Sequence, residues 1–332
     1  MAIARLALTT GEPAGIGPDI CLKLANYALP AEVVLIGSLA LLKERAKALD
    51  INVDFYAFDA KSAPKTNGQN RLAVVDVALH APCIPGELNI ANSKYVLSVL
   101  KTAYSLCANG QTNALVTAPI HKAIIQLSGI PFSGHTEYFA QLANVQHVLM
   151  TFFTPELIVA MATTHCPLNK VSELLTKERL ENAIRLLHQG LTHVFKMNAP
   201  IRVLGLNPHA GESGQIGEEE QILMAPVIKS LKAQGINVEG PISGDTAFTP
   251  DNRKKAGAIL AMYHDQGLAP IKALYFGEIV NVTLGLPFLR TSVDHGCALE
   301  LAGTPLAQEA SLLKAIDVAV KYGTNLKVPT FA

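Results

Sequence analysis

The feature that most constrains this chain is a repeated alternation of short apolar runs with longer amphipathic stretches. Nine runs read as strands: Ala4–Thr9, Glu32–Ile36, Leu72–Val75, Ala114–Thr117, Gln146–Thr151, Leu157–Thr163, Ile201–Leu206, Ala258–Met262 and Ile279–Leu284. Several are continuously apolar, the pattern of strands covered on both faces in a parallel or mixed sheet. Helical patterns lie between them. In Thr176–Lys196, Leu180, Ile184, Leu187 and Leu191 fall on one stripe, and Asn92–Asn109 is halted by Gly110. The alternation predicts an α/β architecture. At 332 residues, against about 150 per domain, two domains are expected.

Composition narrows the function classes. Lys plus Arg is 27 and Asp plus Glu is 27, so no net charge draws the chain to nucleic acid or anionic membrane. A hydrophobic share of 49% with 16% charged residues argues against disorder and fits a large core, with further surface hidden in an oligomer. Mean hydropathy is +0.28, yet apolar runs such as Leu157–Ala162 fall far short of the roughly 20 residues that span a bilayer. The opening run ends at Gly11-Glu12-Pro13, too soon for a signal-peptide core. Five cysteines without a C-x-x-C pair read as reduced thiols. The expectation is a cytoplasmic protein with no nucleic-acid or membrane partner. Ala57–Arg71 reads as a loop, and Arg253-Lys254-Lys255 as a solvated helix face.

Ligands of open α/β sheets bind beyond the carboxyl ends of the strands. Three histidines fall there: His165 after Leu157–Thr163, His209 after Ile201–Leu206, and His264 after Ala258–Met262. One such histidine reads as structural. Three together admit a second reading, neutral imidazoles converging on a divalent metal, with open positions that mark a catalytic site. Their separations match no local zinc motif, so only the fold could assemble them. His135 and Thr136 stand at a helix start, where free N–H groups favour an anion; Thr136 is equally an ordinary helix cap. Lys272, Asn281 and Arg290 fall in or near the last strand–helix units, and a Lys and an Arg beside a helix start would make a phosphate or carboxylate pocket. Each taken singly reads as a surface group.

Gly11-Glu12-Pro13-Ala14-Gly15-Ile16-Gly17-Pro18 invites comparison with a dinucleotide loop, but its spacing is G-x-x-x-G-x-G. The second strand ends Leu35-Ile36-Gly37-Ser38 without the acid that would hold a ribose. The ordinary Rossmann reading is rejected.

That glycine segment, Gly134-His135-Thr136-Glu137, Ala162-Thr163-Thr164-His165, Leu206 to Glu212, Met262 to Gly267, and Asn281 to Pro287 through Arg290 to Gly296 together resemble the 4-hydroxythreonine-4-phosphate dehydrogenase family of pyridoxal phosphate biosynthesis, in order along nearly the whole chain. Cys297 stands where the family pattern has Thr. The resemblance implies a two-domain isocitrate/isopropylmalate dehydrogenase-like α/β fold: mixed, mostly parallel sheets, helices on both faces and no Rossmann loop. The expected division is 1–125 plus 290–332 against 126–289, with the active site in the cleft and at a homodimer interface. It implies a divalent metal (Zn, Mg or Co) on His165, His209 and His264 drawn from both subunits, and substrate contacts at His135, Thr136, Lys272, Asn281 and Arg290, with Asp245 a lesser candidate.

The implied reaction is NAD- or NADP-dependent oxidation of 4-phosphohydroxy-L-threonine to 2-amino-3-oxo-4-phosphooxybutanoate, which decarboxylates to 3-amino-2-oxopropyl phosphate in pyridoxine 5'-phosphate biosynthesis. Rival readings are a sister dehydrogenase of 4-phosphothreonate or 4-phosphoerythronate, a phosphate acyltransferase of similar fold that needs no metal, and a catalytically silent binding protein.

Overall fold

The computed structural model describes residues 3–325. Its strands are β1 (Ala4–Thr9), β2 (Ala31–Gly37), β3 (Asp54–Ala57), β4 (Arg71–Asp76), β5 (Ala114–Thr117), β6 (Leu149–Phe153), β7 (Ile158–Met161), β8 (Ile201–Leu204), β9 (Val238–Ile242), β10 (Ala258–Ala261), β11 (Val280–Leu284) and β12 (Leu289–Ser292). The chain forms two compact units. The first runs to Asn144 and resumes at Leu286; the second is Val145–Gly285.

In the first unit the strand order is β3-β4-β2-β1-β5-β12, every neighbouring pair parallel. β1, β2, β5 and β12 are buried along their whole length, as befits parallel strands with helices on both faces. The glycine segment after β1 is tied down from within. The amides of Glu12, Ala14, Gly15 and Ile16 donate to the Pro119 carbonyl, the Glu12 side chain, the Glu12 carbonyl and the Cys297 carbonyl. These four amides are committed within the fold rather than offered to a pyrophosphate, which gives the rejected Rossmann reading a physical basis. Arg45 completes the clamp. It is 2% exposed, pairs with buried Asp19 and donates to the Gly15 carbonyl at 3.1 Å.

The second unit is mixed, in the order β11-β6-β7-β10-β8-β9. β6 runs antiparallel to both β11 and β7, and the pairs β7–β10, β10–β8 and β8–β9 are parallel. Its core gathers Val159, Met161, Leu204, Ile259, Leu268 and Ile271; fully burying one such side chain contributes roughly 1.5–3 kcal/mol. The amphipathic helix is Lys177–Gln189, capped by the Thr176 hydroxyl, and passes at Gly190 into a wider turn. A Cβ at Gly190 would stand 2.5 Å from Leu284, so the glycine lets this turn lie directly on β11.

The architecture is the expected α/β fold, with differences. β6 begins at Leu149, three residues later than its apolar run suggests. β3, β9 and β12 lie outside the nine anticipated runs, so Arg290, which follows Leu286-Pro287-Phe288-Leu289, is a strand residue of β12. The loop expected over Ala57–Arg71 is present as 58–70, its end residues belonging to β3 and β4. Lys254 and Lys255 are solvated as expected, whereas Arg253 is half-buried over the Tyr275 ring at 5.8 Å. All five cysteines are free. Among the described residues no helix is long and apolar enough to cross a membrane.

Candidate active site

In the second unit, parallel pairing of β7, β10, β8 and β9 puts their carboxyl ends on one edge of the sheet. His165 follows β7, His264 follows β10, His209 follows β8 and Asp245 follows β9. The turns leaving these strands are laced together. Thr163 donates its amide (3.1 Å) and hydroxyl (2.7 Å) to the Met262 carbonyl. The Gln266 side chain accepts from the Met262 amide and donates to the Gly205 carbonyl, each at 2.7 Å. It thereby fixes the His264 turn against the turn that carries His209.

The rings of His165 and His264 have centroids 5.5 Å apart and are tilted by 41°. Two imidazoles on one zinc, each nitrogen about 2.1 Å from it, have centroids about 5 Å apart at the tetrahedral angle, so this pair fits a shared cation. Asp265 Oδ1 lies 2.6 Å from His264 Nδ1. A proton held on Nδ1 by that carboxylate leaves Nε2 with its lone pair outward, the tautomer a metal ligand needs.

His209 stands instead with Asp245, Nδ1 to Oδ2 at 3.7 Å, both side chains exposed. The Ser243 hydroxyl, then the nearby His209 and two backbone N–H groups, hold the Asp245 carboxyl below its usual range against a smaller opposing effect of burial. Among the described residues, no three His, Cys, Asp or Glu side chains within the single chain come together closely enough to hold a metal ion. The donor chemistry, neutral nitrogens beside carboxylates, nonetheless suits a divalent cation.

His209 begins an unusual turn. His209, Ala210, Gly211, Glu212 and Ser213 all have left-handed backbone, with φ of 53°, 53°, 77°, 42° and 59°. Each non-glycine residue held there costs roughly 1–2 kcal/mol, so the surroundings must hold the turn in place.

Lys272 lies on the helix His264–Tyr275, two turns beyond His264, or about 12 Å along its axis. Asn281 is on β11, and its Oδ1 is buried with no hydrogen-bond partner. Such an acceptor is costly to leave unmet and suits a ligand's donor.

The first unit holds the anion-type group. Arg290 is 3% exposed on β12. Its Nε and Nη2 donate to the Thr117 hydroxyl at the end of β5, at 3.2 and 2.7 Å, and its Nη1 to the Thr136 hydroxyl at 3.5 Å. Burial pulls its pKa down to about 10, with Glu137 opposing, so it stays a cation at neutral pH. His135 and Thr136 open the helix His135–Ala143, whose cap is Gly134; Thr136 is therefore not the cap. Burial, then Arg290 and Lys122, press the His135 pKa well below its ordinary value. The ring is thus neutral, stacked on Phe139, and its Nε2 is buried without a partner.

Sequence reading passed over the residues that hold these groups: Thr117, Asp265 and Gln266. Only Asp265, adjacent to His264, left a local signal, the dipeptide His-Asp.

Residues 29–319 match the family model described as "Pyridoxal phosphate biosynthetic protein PdxA". A 4-hydroxythreonine-4-phosphate dehydrogenase of Colwellia psychrerythraea is 47% identical, covering 97% of this chain and 99% of its own length. One from Acidithiobacillus ferrooxidans is 49% identical over 97% of both. A crystal structure of the Klebsiella pneumoniae 4-hydroxythreonine-4-phosphate dehydrogenase superposes with a TM-score of 0.87 at 33% identity, covering 95% of this chain and 98% of that one. With its strand-end histidines and buried arginine in place, and with this likeness over nearly its full length, the chain belongs to the PdxA family of pyridoxal phosphate biosynthetic proteins.

Proposed function

We propose that this chain oxidises 4-phosphohydroxy-L-threonine with NAD or NADP to 2-amino-3-oxo-4-phosphooxybutanoate, whose loss of carbon dioxide gives 3-amino-2-oxopropyl phosphate for pyridoxine 5'-phosphate synthesis. The observation that carries this reading is the 47% identity, over 97% of the chain, to a protein named for that dehydrogenation.

His165, His209 and His264 would hold one divalent cation (Zn, Mg or Co), the set being completed across a cytoplasmic homodimer. When bound, the cation supplies Lewis acidity towards an alcohol oxygen, and the nicotinamide accepts a hydride that no side chain can hold. The chain's own residues bind and orient. Arg290, held in place by Thr117, presents a buried guanidinium to an anion. Thr136 and the N–H groups at the start of its helix add donors to the same anion, and neutral His135 offers Nε2 to a substrate hydroxyl or phosphate oxygen. Lys272 neutralises phosphate charge, and Asn281 fixes a substrate donor through Oδ1. Asp245 keeps the His209 ring oriented.

The test is formation of reduced nicotinamide from 4-phosphohydroxy-L-threonine and, separately, from 4-phosphothreonate, each with and without chelator. The expected result is turnover of the amino acid, abolished by chelator and restored by metal. Preferential turnover of 4-phosphothreonate would move the assignment to the sister dehydrogenase, and metal-independent turnover would end the metal reading.

A further inference from the structure

The turn carrying His209 combines a demanding backbone with little support for the imidazole itself. The His209 side chain is 63% exposed and its nearest charged neighbour, Asp245, is 3.7 Å away. Beyond that carboxylate contact the ring is exposed, so the direction in which it leaves the chain is set by the backbone that carries it. That backbone is left-handed at five successive positions, four of them not glycine, a conformation that persists only where the surroundings over-determine it.

Glu220 supplies the constraint. Its side chain is 2% exposed. Its Oε1 accepts the Asn207 backbone N–H at 2.7 Å, and its Oε2 accepts Asn207 Nδ2 at 3.0 Å. Asn207 Nδ2 donates also to Glu219 Oε2 at 2.8 Å. The same carboxylate lies against Gly205, before the turn, and Gly211, within it: a Cβ at Gly205 would stand 3.1 Å from Oε1, and one at Gly211 2.6 Å from Oε2. A carboxylate buried among neutral amide donors is expensive unless its hydrogen bonds are met. Here they are met by the residue two places before His209.

We propose that Glu220 is the positioning residue for His209: it locks the left-handed turn from beneath and so sets the direction in which the imidazole projects from the end of β8. This rests on the reading that His209 holds a divalent cation, and deepens it.

The probe is cobalt(II), titrated into the full-length protein and followed by calorimetry and visible absorption. The panel is wild type, Glu220→Gln, Glu220→Ala and His209→Ala, with circular dichroism and thermal melts on each. Gln retains an acceptor for the Asn207 N–H and loses the second, so cobalt binding weakens less than about tenfold. Ala loses both, and binding weakens roughly 10–100-fold, the usual scale for partners of metal ligands. The KM for the nicotinamide cofactor stays at the wild-type value. If Glu220→Ala does not fold, Gly211→Ala reads the same coupling, since its Cβ presses on Oε2 at a φ of 77°, and it too should weaken cobalt binding. Cobalt affinity within twofold of wild type in a folded Glu220→Ala or Gly211→Ala, while His209→Ala loses cobalt, overturns the proposal. Undiminished cobalt binding by His209→Ala overturns the underlying metal reading instead.

Discussion

The imidazoles of His165 and His264 meet at 5.5 Å because the strands that end just before them, β7 and β10, are parallel neighbours in register. Asp265 then settles which nitrogen of His264 faces outward. The strand pairing is a property of the sheet, so it survives substitution of either ring.

On that account His209→Ala abolishes cation binding and lowers kcat/KM by at least about 10²–10³, the scale of losing a preorganised electrostatic stabiliser. The ring is exposed and Ala210 already occupies the same backbone conformation next to it, so stability should change by less than about 0.5 kcal/mol. Metal content, kinetics and a thermal melt on one preparation check this. Full activity in the metal-stripped variant would refute it.

Arg290→Lys should raise the KM for the phosphorylated substrate about tenfold to a hundredfold. A lysine keeps the charge but cannot reach the Thr117 and Thr136 hydroxyls with one rigid fork, and hydrogen bonds to charged groups are worth about 1.5–3 kcal/mol. Steady-state kinetics decide the matter; an unchanged KM would remove Arg290 from the anion site.

Lys272→Arg separates charge from proton transfer. Arginine keeps the positive charge but cannot serve as a base at working pH. If Lys272 only neutralises phosphate, the pH–rate profile keeps its shape while KM shifts a few-fold. Loss of the profile's acid limb, the rise in rate as a base sheds its proton, would make Lys272 the proton acceptor.

Two buried groups give stability opposite pH slopes. The His135 pKa is depressed, so the unfolded chain takes up a proton first as pH falls below 6.5, and stability is lost on that side. The Glu12 carboxyl is raised by burial from 4.5 to about 7. The native state keeps a proton that the unfolded chain has already released, so stability falls as pH rises through that window. Glu12→Gln should therefore be near neutral at pH 4.5 and below, and stabilising by about 3 kcal/mol above pH 7. Urea unfolding at both ends checks the sign; equal effects at both pH values would contradict it.

Much of the fold was legible because its strands are apolar and buried on both faces. β1 and β5 coincide with their apolar runs to the residue. The missed strands lack that signal for identifiable reasons. β3 is a four-residue edge strand with no fully buried position, β9 carries Gly240-Pro241, residues that ordinarily argue against a strand, and β12 hides Arg290 inside the sequence Leu-Arg-Thr-Ser. The strand-end histidines could be found from chain position, since the ends of parallel strands share an edge. The left-handed turn and its Glu220 support could not, because only Gly211 and Gly214 among Pro208–Gly214 announce positive φ. Thr117 is remote along the chain from Arg290, and Gln266, though inside the Met262–Gly267 motif, reaches a Gly205 carbonyl that no local pattern ties to it.

In the proposed enzyme, three imidazoles from separate strand ends hold one cation at which an alcohol is oxidised. Anomalous scattering from zinc-soaked crystals measures this directly. The expected result is one zinc site per protomer, ligated by the His165, His209 and His264 side chains with ligands contributed by both protomers. Zinc bound elsewhere, or no zinc with those rings turned away from one another, would contradict it.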